Sequence, residues 1–425
     1  MQYKLQKLPN GLRVLTVPMQ GLESVTVTVW VKTGSRSEDL KVNGISHFLE
    51  HMVFKGSKKR PSAKAISQVV DSIGGEFNAA TSKDWTNFYI KTRVASIETA
   101  MDVLSDMVLN PLLKSDEIER EKGTIVQEIA MYEDTPMMHI GDVFEEGVFE
   151  GNPLGRDTAG TPKSVRGIKR NDFLRYRSTH YRPDEMMVSI VGGVKESKAL
   201  ELAKKYFSSL KKSSQKPFNI EKFATNQTAP AFKLQTKKAE QAHLILGFMS
   251  EGRNYEGRFA QSLLATILGG GMSSRMFIEV RERRGLAYSI RTGLDRYQEI
   301  GYLSTYAGVD VTKADLAIKV ILGEYYKILD SKFKIQASEL VKAKEYLKGH
   351  LALALEDTKD VTSFFSDQAL FANEILTPEE VYKKVDAVTI EDILFEAKKL
   401  FVPSKLNLAI IGPFKDKEKF VQLLK

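Results

Sequence analysis

Five residues, HFLEH from His47 to His51, set two imidazoles four positions apart with a carboxylate, Glu50, just before the second. On a helix, residues i and i+4 lie one above the other. Both rings can therefore turn a nitrogen to one point about 2 Å from each, as a tetrahedral zinc ion requires. Glu50, three residues after His47, lies beside that point. A carboxylate there can take a proton from a water that the metal has acidified towards neutrality and later pass it to a leaving group. The spacing fits hydrolysis. The competing reading is two surface histidines near an ordinary acid. With only 6 histidines in the chain, finding this spacing on a half-apolar helix favours the metal site.

The element that positions these groups is predicted from Gly44 to about Lys55, where Ile45, Phe48, Leu49, Met52 and Val53 recur at helical spacing and Asn43 is the expected N-cap. A carboxylate is the natural candidate for a third ligand, because the chain has no cysteine. The run SDEIEREKGTIVQEIAMYEDTP reads as a helix with Ser115 as N-cap, acids in its first turn and Pro136 just beyond its end. Within it, Glu121 and Glu128 share a face with Ile118 and Ile125, whereas Glu117 and Glu119 fall in the charged first turn. Spacing alone leaves both Glu121 and Glu128 open as the third ligand.

The chain has 425 residues, 42% hydrophobic and 27% charged, enough for two or three ordinary cores. The lack of cysteine excludes a disulfide framework, a thiolate nucleophile and a sulfur-ligated metal. The N-terminal stretch lacks the pattern of a signal or transit peptide and passes into two strands about Asn10-Gly11; no apolar run reaches the length of a membrane span. A cytoplasmic protein with no membrane association is expected. The net charge of +8 is spread along the chain without a basic, aromatic-interleaved stripe, so no nucleic-acid partner is expected.

The chain also resembles itself. YRPDEMMVSIVGGV, Tyr181 to Val194, aligns with FVPSKLNLAIIGPF, Phe401 to Phe414, at an offset of 220 residues, and the preceding helices fall into register at the same offset. Each half reads as an early strand, a helical region, a two-strand ribbon, several amphipathic helices, and a closing strand with a final helix. This predicts two homologous α+β domains from a duplication, each a mixed sheet flanked by helices: residues 1–212 and 231–425, with a polar linker at 213–230. GGEFNAATSKDWTNFYIKTRV is the first ribbon, turning at Lys83-Asp84, and its first strand is a candidate edge. Gly269 to Gly271 is followed by MSSR, not the Gly-Lys-Ser/Thr of a phosphate loop, and reads as a tight connection.

HFLEH has the inverted zinc motif H-x-x-E-H, and over essentially its whole length the chain resembles the pitrilysin/insulinase family of zinc metallopeptidases, most closely its short processing-peptidase-like bacterial members. The resemblance implies one zinc ion per chain, with His47, His51 and Glu128 as ligands, Glu121 as a supporting acid and Glu50 as general base. In GGGMSSRMFIEVRERRGLAYSI it implies that Arg281 and Tyr288 hold substrate and stabilise the oxyanion. It further implies that the backbone of Phe77, Asn78, Ala79 and Ala80 pairs with an extended peptide. Larger family members close four such domains as a clamshell; two domains make half of one. The expectation is an endopeptidase acting on unfolded peptides as a homodimer, or with a homologous partner subunit. The alternative is a catalytically silent structural or peptide-binding subunit. Asp142, Glu145 and Glu146 are candidates for reading a basic substrate residue, against their reading as a solvated helix face.

Overall fold

Eleven strands among the described residues build two mixed sheets, each in its own compact unit. The computed structural model describes residues 1–211, 220, 222–225 and 227–424; residues 213–219, 221 and 226 of the segment read as a linker lie outside the described residues. The first unit comprises Met1–Ala130, Arg156–Glu221 and Ala354–Thr377, and the second Met131–Gly155, Lys222–Leu353 and Pro378–Lys425.

The first unit holds β1 (Lys4–Lys7), β2 (Arg13–Pro18), β3 (Ser24–Val31), β4 (Glu76–Thr81), β5 (Thr86–Arg93) and β6 (Met186–Gly192), in the order β1-β2-β6-β3-β5-β4. Only β2 and β6 pair in parallel. β6, MMVSIVG, is buried along its whole length, as expected of an uninterrupted apolar strand in mid-sheet. β4 pairs with β5 alone and forms an edge.

The second unit holds β7 (Ala231–Thr236), β8 (Gln241–Glu251), β9 (Ala287–Arg296), β10 (Ile300–Asp310) and β11 (Leu406–Gly412), in the order β7-β11-β8-β10-β9 with β7 and β11 parallel. This repeats the first sheet without β1. The offset of 220 also recurs in the structure: β6 and β11 begin at 186 and 406, and the helices before them are Arg170–His180 and Ile390–Leu400.

The units match the two halves of the sequence except for two swapped segments. The helix Pro136–Val148 comes from the first half but packs in the second unit against β7, β8 and β11, burying Ile140, Val143, Phe144 and Val148. The helix Thr358–Phe371 makes the reverse journey. It packs on β3 and β6, with Thr358 Oγ1 2.8 Å from Thr26 Oγ1 and Ser366 Oγ 2.6 Å from Ser189 Oγ.

The elements that carry the candidate ligands belong to the first unit. The helix Ile45–Val53 buries Ile45, Phe48, Leu49, Met52 and Val53, the predicted stripe, with Phe48 edge-on to Phe173 at 4.9 Å. Each such side chain contributes about 1.5–3 kcal/mol of burial. The helix Ser115–Asp134 buries Ile118, Ile125 and Ile129 together with Glu121. No helix among the described residues is long and apolar enough to cross a membrane.

Candidate metal centre

Two helices bring three donors to one place. His47 Nε2 and His51 Nε2 are 3.3 Å apart, His47 Nε2 is 3.6 Å from Glu128 Oε1, and His51 Nε2 is 3.4 Å from Glu128 Oε2. Ligands about 2.1 Å from a tetrahedral zinc ion stand about 3.4 Å from one another. The donor set therefore fits zinc in type and in spacing, and one atom from each residue lies within 4.8 Å of the others. Glu121 stands behind His51: His51 Nδ1–H donates to Glu121 Oε1 at 2.9 Å, and Lys55 Nζ is 2.5 Å from Glu121 Oε2. That contact fixes the ring and aims Nε2 at the centre. Between the two acids that spacing left open, Glu128 faces the shared point and Glu121 grips the back of a ring.

The electrostatics share one cause, a convergence of carboxylates that favours positive charge. Burial draws the His51 imidazole down, but its hydrogen bonds with Glu121 and Glu128 override this and raise it to about 9. Hydrogen bonds with His47 and His51 hold the Glu128 carboxyl well below the ordinary carboxylate range. Burial alone would raise Glu121; His51 and Lys55 bring it below its usual value. Glu50 goes the other way: burial raises it, and the Thr81 hydroxyl, donating to Glu50 Oε2 at 2.5 Å, partly offsets the rise.

The helix cap differs from expectation. Gly44, not Asn43, is the N-cap, in a left-handed conformation (φ 94°) with no side chain to satisfy the first turn, and a Cβ there would collide with Ala159 O. A buried acid from the preceding loop supplies the acceptors instead. Glu38 Oε2 takes the Gly44 N–H at 2.7 Å and Asn43 Nδ2 at 2.9 Å, and Oε1 takes the Ser46 N–H at 2.8 Å. A carboxylate at a helix N-terminus also opposes the helix dipole.

The ribbon strand lies beside this helix. Along β4, Phe77, Ala79 and Thr81 are half-buried and Asn78 and Ala80 exposed. Phe77 leans on Phe54 at 5.6 Å, and the Ala79 N–H donates to Asn78 Oδ1 at 2.8 Å. Thr81, at the strand's end, is the residue that reaches Glu50.

Known proteins resemble this chain over nearly its whole length. Residues 13–162 match the family model described as Insulinase (Peptidase family M16), and residues 167–347 match Peptidase M16 inactive domain. An uncharacterized zinc protease of Mycobacterium leprae is 35% identical over 419 residues, covering 98% of this chain and 93% of that protein. The chain belongs to the insulinase family of peptidases. An uncharacterized zinc protease of Bacillus subtilis is 34% identical over 408 residues, 95% of this chain and 97% of its own. Among solved structures, a protease from Helicobacter pylori superimposes with a TM-score of 0.91 at 25% identity, covering 97% of this chain and all of that one. A Pseudomonas fluorescens structure described as a peptidase M16 inactive domain shares the fold, with a TM-score of 0.89 at 21% identity and coverage of 98% and 99%.

In this insulinase-family chain, the second unit carries the arginine and tyrosine picked out from the sequence. Arg281 lies on a short π-helix, Phe277–Glu282, and its guanidinium stacks over the rings of Phe277 at 4.7 Å and Tyr288 at 5.3 Å. Tyr288 stands near the start of β9, itself an edge strand, and is 78% exposed. Two of the three acids considered for substrate reading are engaged elsewhere. Glu145 is buried and accepts hydrogen bonds from the Tyr297 and Tyr302 hydroxyls, and Glu146 pairs with Lys233 at 2.8 Å. Asp142 lies 3.5 Å from His139 Nδ1.

Sequence reasoning missed Thr81, Lys55 and Glu38. Thr81 was within reach, because strand alternation puts it on the same face as Phe77 and Ala79. Lys55 follows His51 by four residues. Glu38 left no local signal, because its partners lie across a loop.

Proposed function

We propose that this insulinase-family protein is a zinc-dependent endopeptidase that hydrolyses unfolded peptides. The observation that carries the reading is the triangle of His47 Nε2, His51 Nε2 and Glu128 oxygens, with edges of 3.3–3.6 Å, beside a base tethered to an edge strand. Zinc held by these three residues supplies Lewis acidity, acidifying water and polarising the carbonyl to be cut. The chain's own residues do the rest. An extended peptide adds to β4 along Phe77–Ala80, held by main-chain hydrogen bonds that are largely indifferent to sequence. Glu50 accepts a proton from the attacking water and delivers it to the leaving nitrogen. Its raised affinity for protons suits a group that must both take and give one at neutral pH. Glu121 keeps His51 oriented. Arg281 and Tyr288 serve the oxyanion and the substrate backbone.

One zinc per chain is the stoichiometry this reading takes, with one candidate triad among the described residues. Because the zinc motif and the Arg281/Tyr288 pair lie on one chain, a second copy of that chain is enough to complete a chamber. We therefore favour a homodimeric clamshell, acting in the cytoplasm, over an obligate pair with a silent partner.

The test is cleavage of a library of internally quenched peptides by the parent protein and by Glu50→Gln at equal zinc content. Cleavage by the parent, with a loss of about 10²-fold or more in the variant, is expected. Two zinc-loaded proteins that both leave every peptide intact would instead favour the silent-subunit reading.

A further inference from the structure

The loop between β3 and the helix Ile45–Val53 has two attachments. At one end Glu38 caps the helix through Gly44, Ser46 and Asn43. In its middle it grips the tip of the β4–β5 hairpin: the Ser35 N–H donates to Ser82 O at 3.0 Å, the Arg36 N–H to Lys83 O at 3.1 Å, and Arg36 Nη1 to Asp84 Oδ1 at 3.0 Å. The close approach depends on Gly34, where a Cβ would collide with Ser82 O. A third segment closes the circuit, with Arg156 Nη1 donating to Glu38 O at 2.9 Å and Lys83 Nζ donating to Arg156 O.

The Arg36 and Asp84 side chains are 1% and 0% exposed. A pair so deeply buried is no better for stability than a well-packed apolar pair, because desolvation offsets the attraction. What it does provide is a fixed, directional link. That link ties the hairpin that carries β4 to a loop whose far end, Glu38, caps the helix that carries Glu50.

We propose that the loop Gly34–Glu38 is a register brace, in which Arg36 and Glu38 are positioning residues that fix edge strand β4 relative to the metal-site helix and so set which bond of a bound peptide meets Glu50. The inference rests on the peptidase reading above. A strand added to an edge keeps its facing when it slips by two residues, so pairing with β4 does not by itself select one bond. Selection requires that β4 and the helix keep a constant offset, and the brace links the two directly.

The experiment compares the parent with Arg36→Lys, Asp84→Asn and Glu38→Gln. It reads cleavage positions on one long peptide by mass spectrometry, zinc affinity by chelator competition, and amide hydrogen exchange. Arg36→Lys and Asp84→Asn are expected to spread cleavage to neighbouring bonds, lower kcat/KM about tenfold or more, speed exchange in residues 76–81, and leave zinc affinity unchanged. Glu38→Gln is expected to spread cleavage in the same way, and in addition to weaken zinc binding about tenfold and speed exchange at Phe48 and Leu49. If Asp84→Asn does not fold, Arg36→Lys, which keeps the charge and loses only the planar fork, carries that arm. Folded variants with the parent's cleavage positions, zinc affinity and exchange rates would overturn the brace. A parent that cleaves nothing would sink the peptidase reading instead, and exchange and zinc affinity would still decide the brace.

Discussion

Thr81, the last residue of the edge strand, donates its hydroxyl to Oε2 of Glu50 at 2.5 Å. A strand that would hold substrate is thereby hydrogen-bonded to the residue that would move its protons. Thr81→Val keeps the shape and removes the donor, so Glu50 loses the contact that orients it. The expected result is a fall in kcat of about tenfold, with KM and zinc content near the parent's, and recovery in Thr81→Ser. If Thr81→Val retains full kcat, the hydroxyl is incidental.

The roles of the two acids on the helix Ser115–Asp134 separate by metal affinity. On the proposed reading Glu128 supplies a ligand oxygen, so Glu128→Gln should lose most bound zinc. Glu121 would reach the metal through His51 Nδ1, so Glu121→Gln should weaken zinc by about 10–100-fold and still bind it. Titration with a chelator of known affinity gives both numbers. The reverse order would exchange the two assignments.

The site was legible in the sequence as far as its groups share a face of a regular element. His47, Glu50 and His51 stand on one helix, and Glu121 and Glu128 on another, and a period of 3.6 is a local property of the chain. Ligand and support could not be told apart, because residues seven apart on a face differ only in how the second helix meets the first. Glu38 was illegible for a related reason: its three donors lie five to eight residues away, across a loop whose path no periodicity encodes. The fold was read correctly as two α+β domains from a duplication, since the 220-residue offset survives in both helices and strands. The helix swap was not visible. The apolar stripe of Pro136–Val148 says that the helix must be covered, but two sheets of one ancestry offer surfaces of similar character.

His180 gives stability a pH dependence independent of the metal centre. It is buried, with Nδ1 3.2 Å from Thr33 Oγ1 and the ring 4.4 Å from that of Tyr176. Burial, helped by Arg182, pulls it down to about 4. In the unfolded chain it titrates near its ordinary value of about 6.5. Between these values only the unfolded state binds the proton, so stability falls as pH drops from about 6.5 to 4, by on the order of 3 kcal/mol. The difference in urea stability between the zinc-free parent and His180→Asn should change by that amount over this window and be flat above pH 7. A difference that does not vary with pH would mean that His180 binds its proton as readily in the fold as in the unfolded chain.

The swapped helices predict where damage will appear. Phe144 comes from the first half of the sequence, yet it is 1% exposed within the second unit's core, edge-on to Tyr302 at 5.2 Å. Phe144→Ala should cost about 3–5 kcal/mol, and hydrogen exchange should rise first in β8 and β11, more than 90 residues along the chain, and not in β3 and β6. Phe365, buried in the helix Thr358–Phe371 against β3 and β6, should show the converse when changed to alanine, loosening the first sheet from a position in the second half. A Phe144→Ala protein whose new exchange is confined to β3 and β6 would mean that the helix Pro136–Val148 stays with the first sheet in solution.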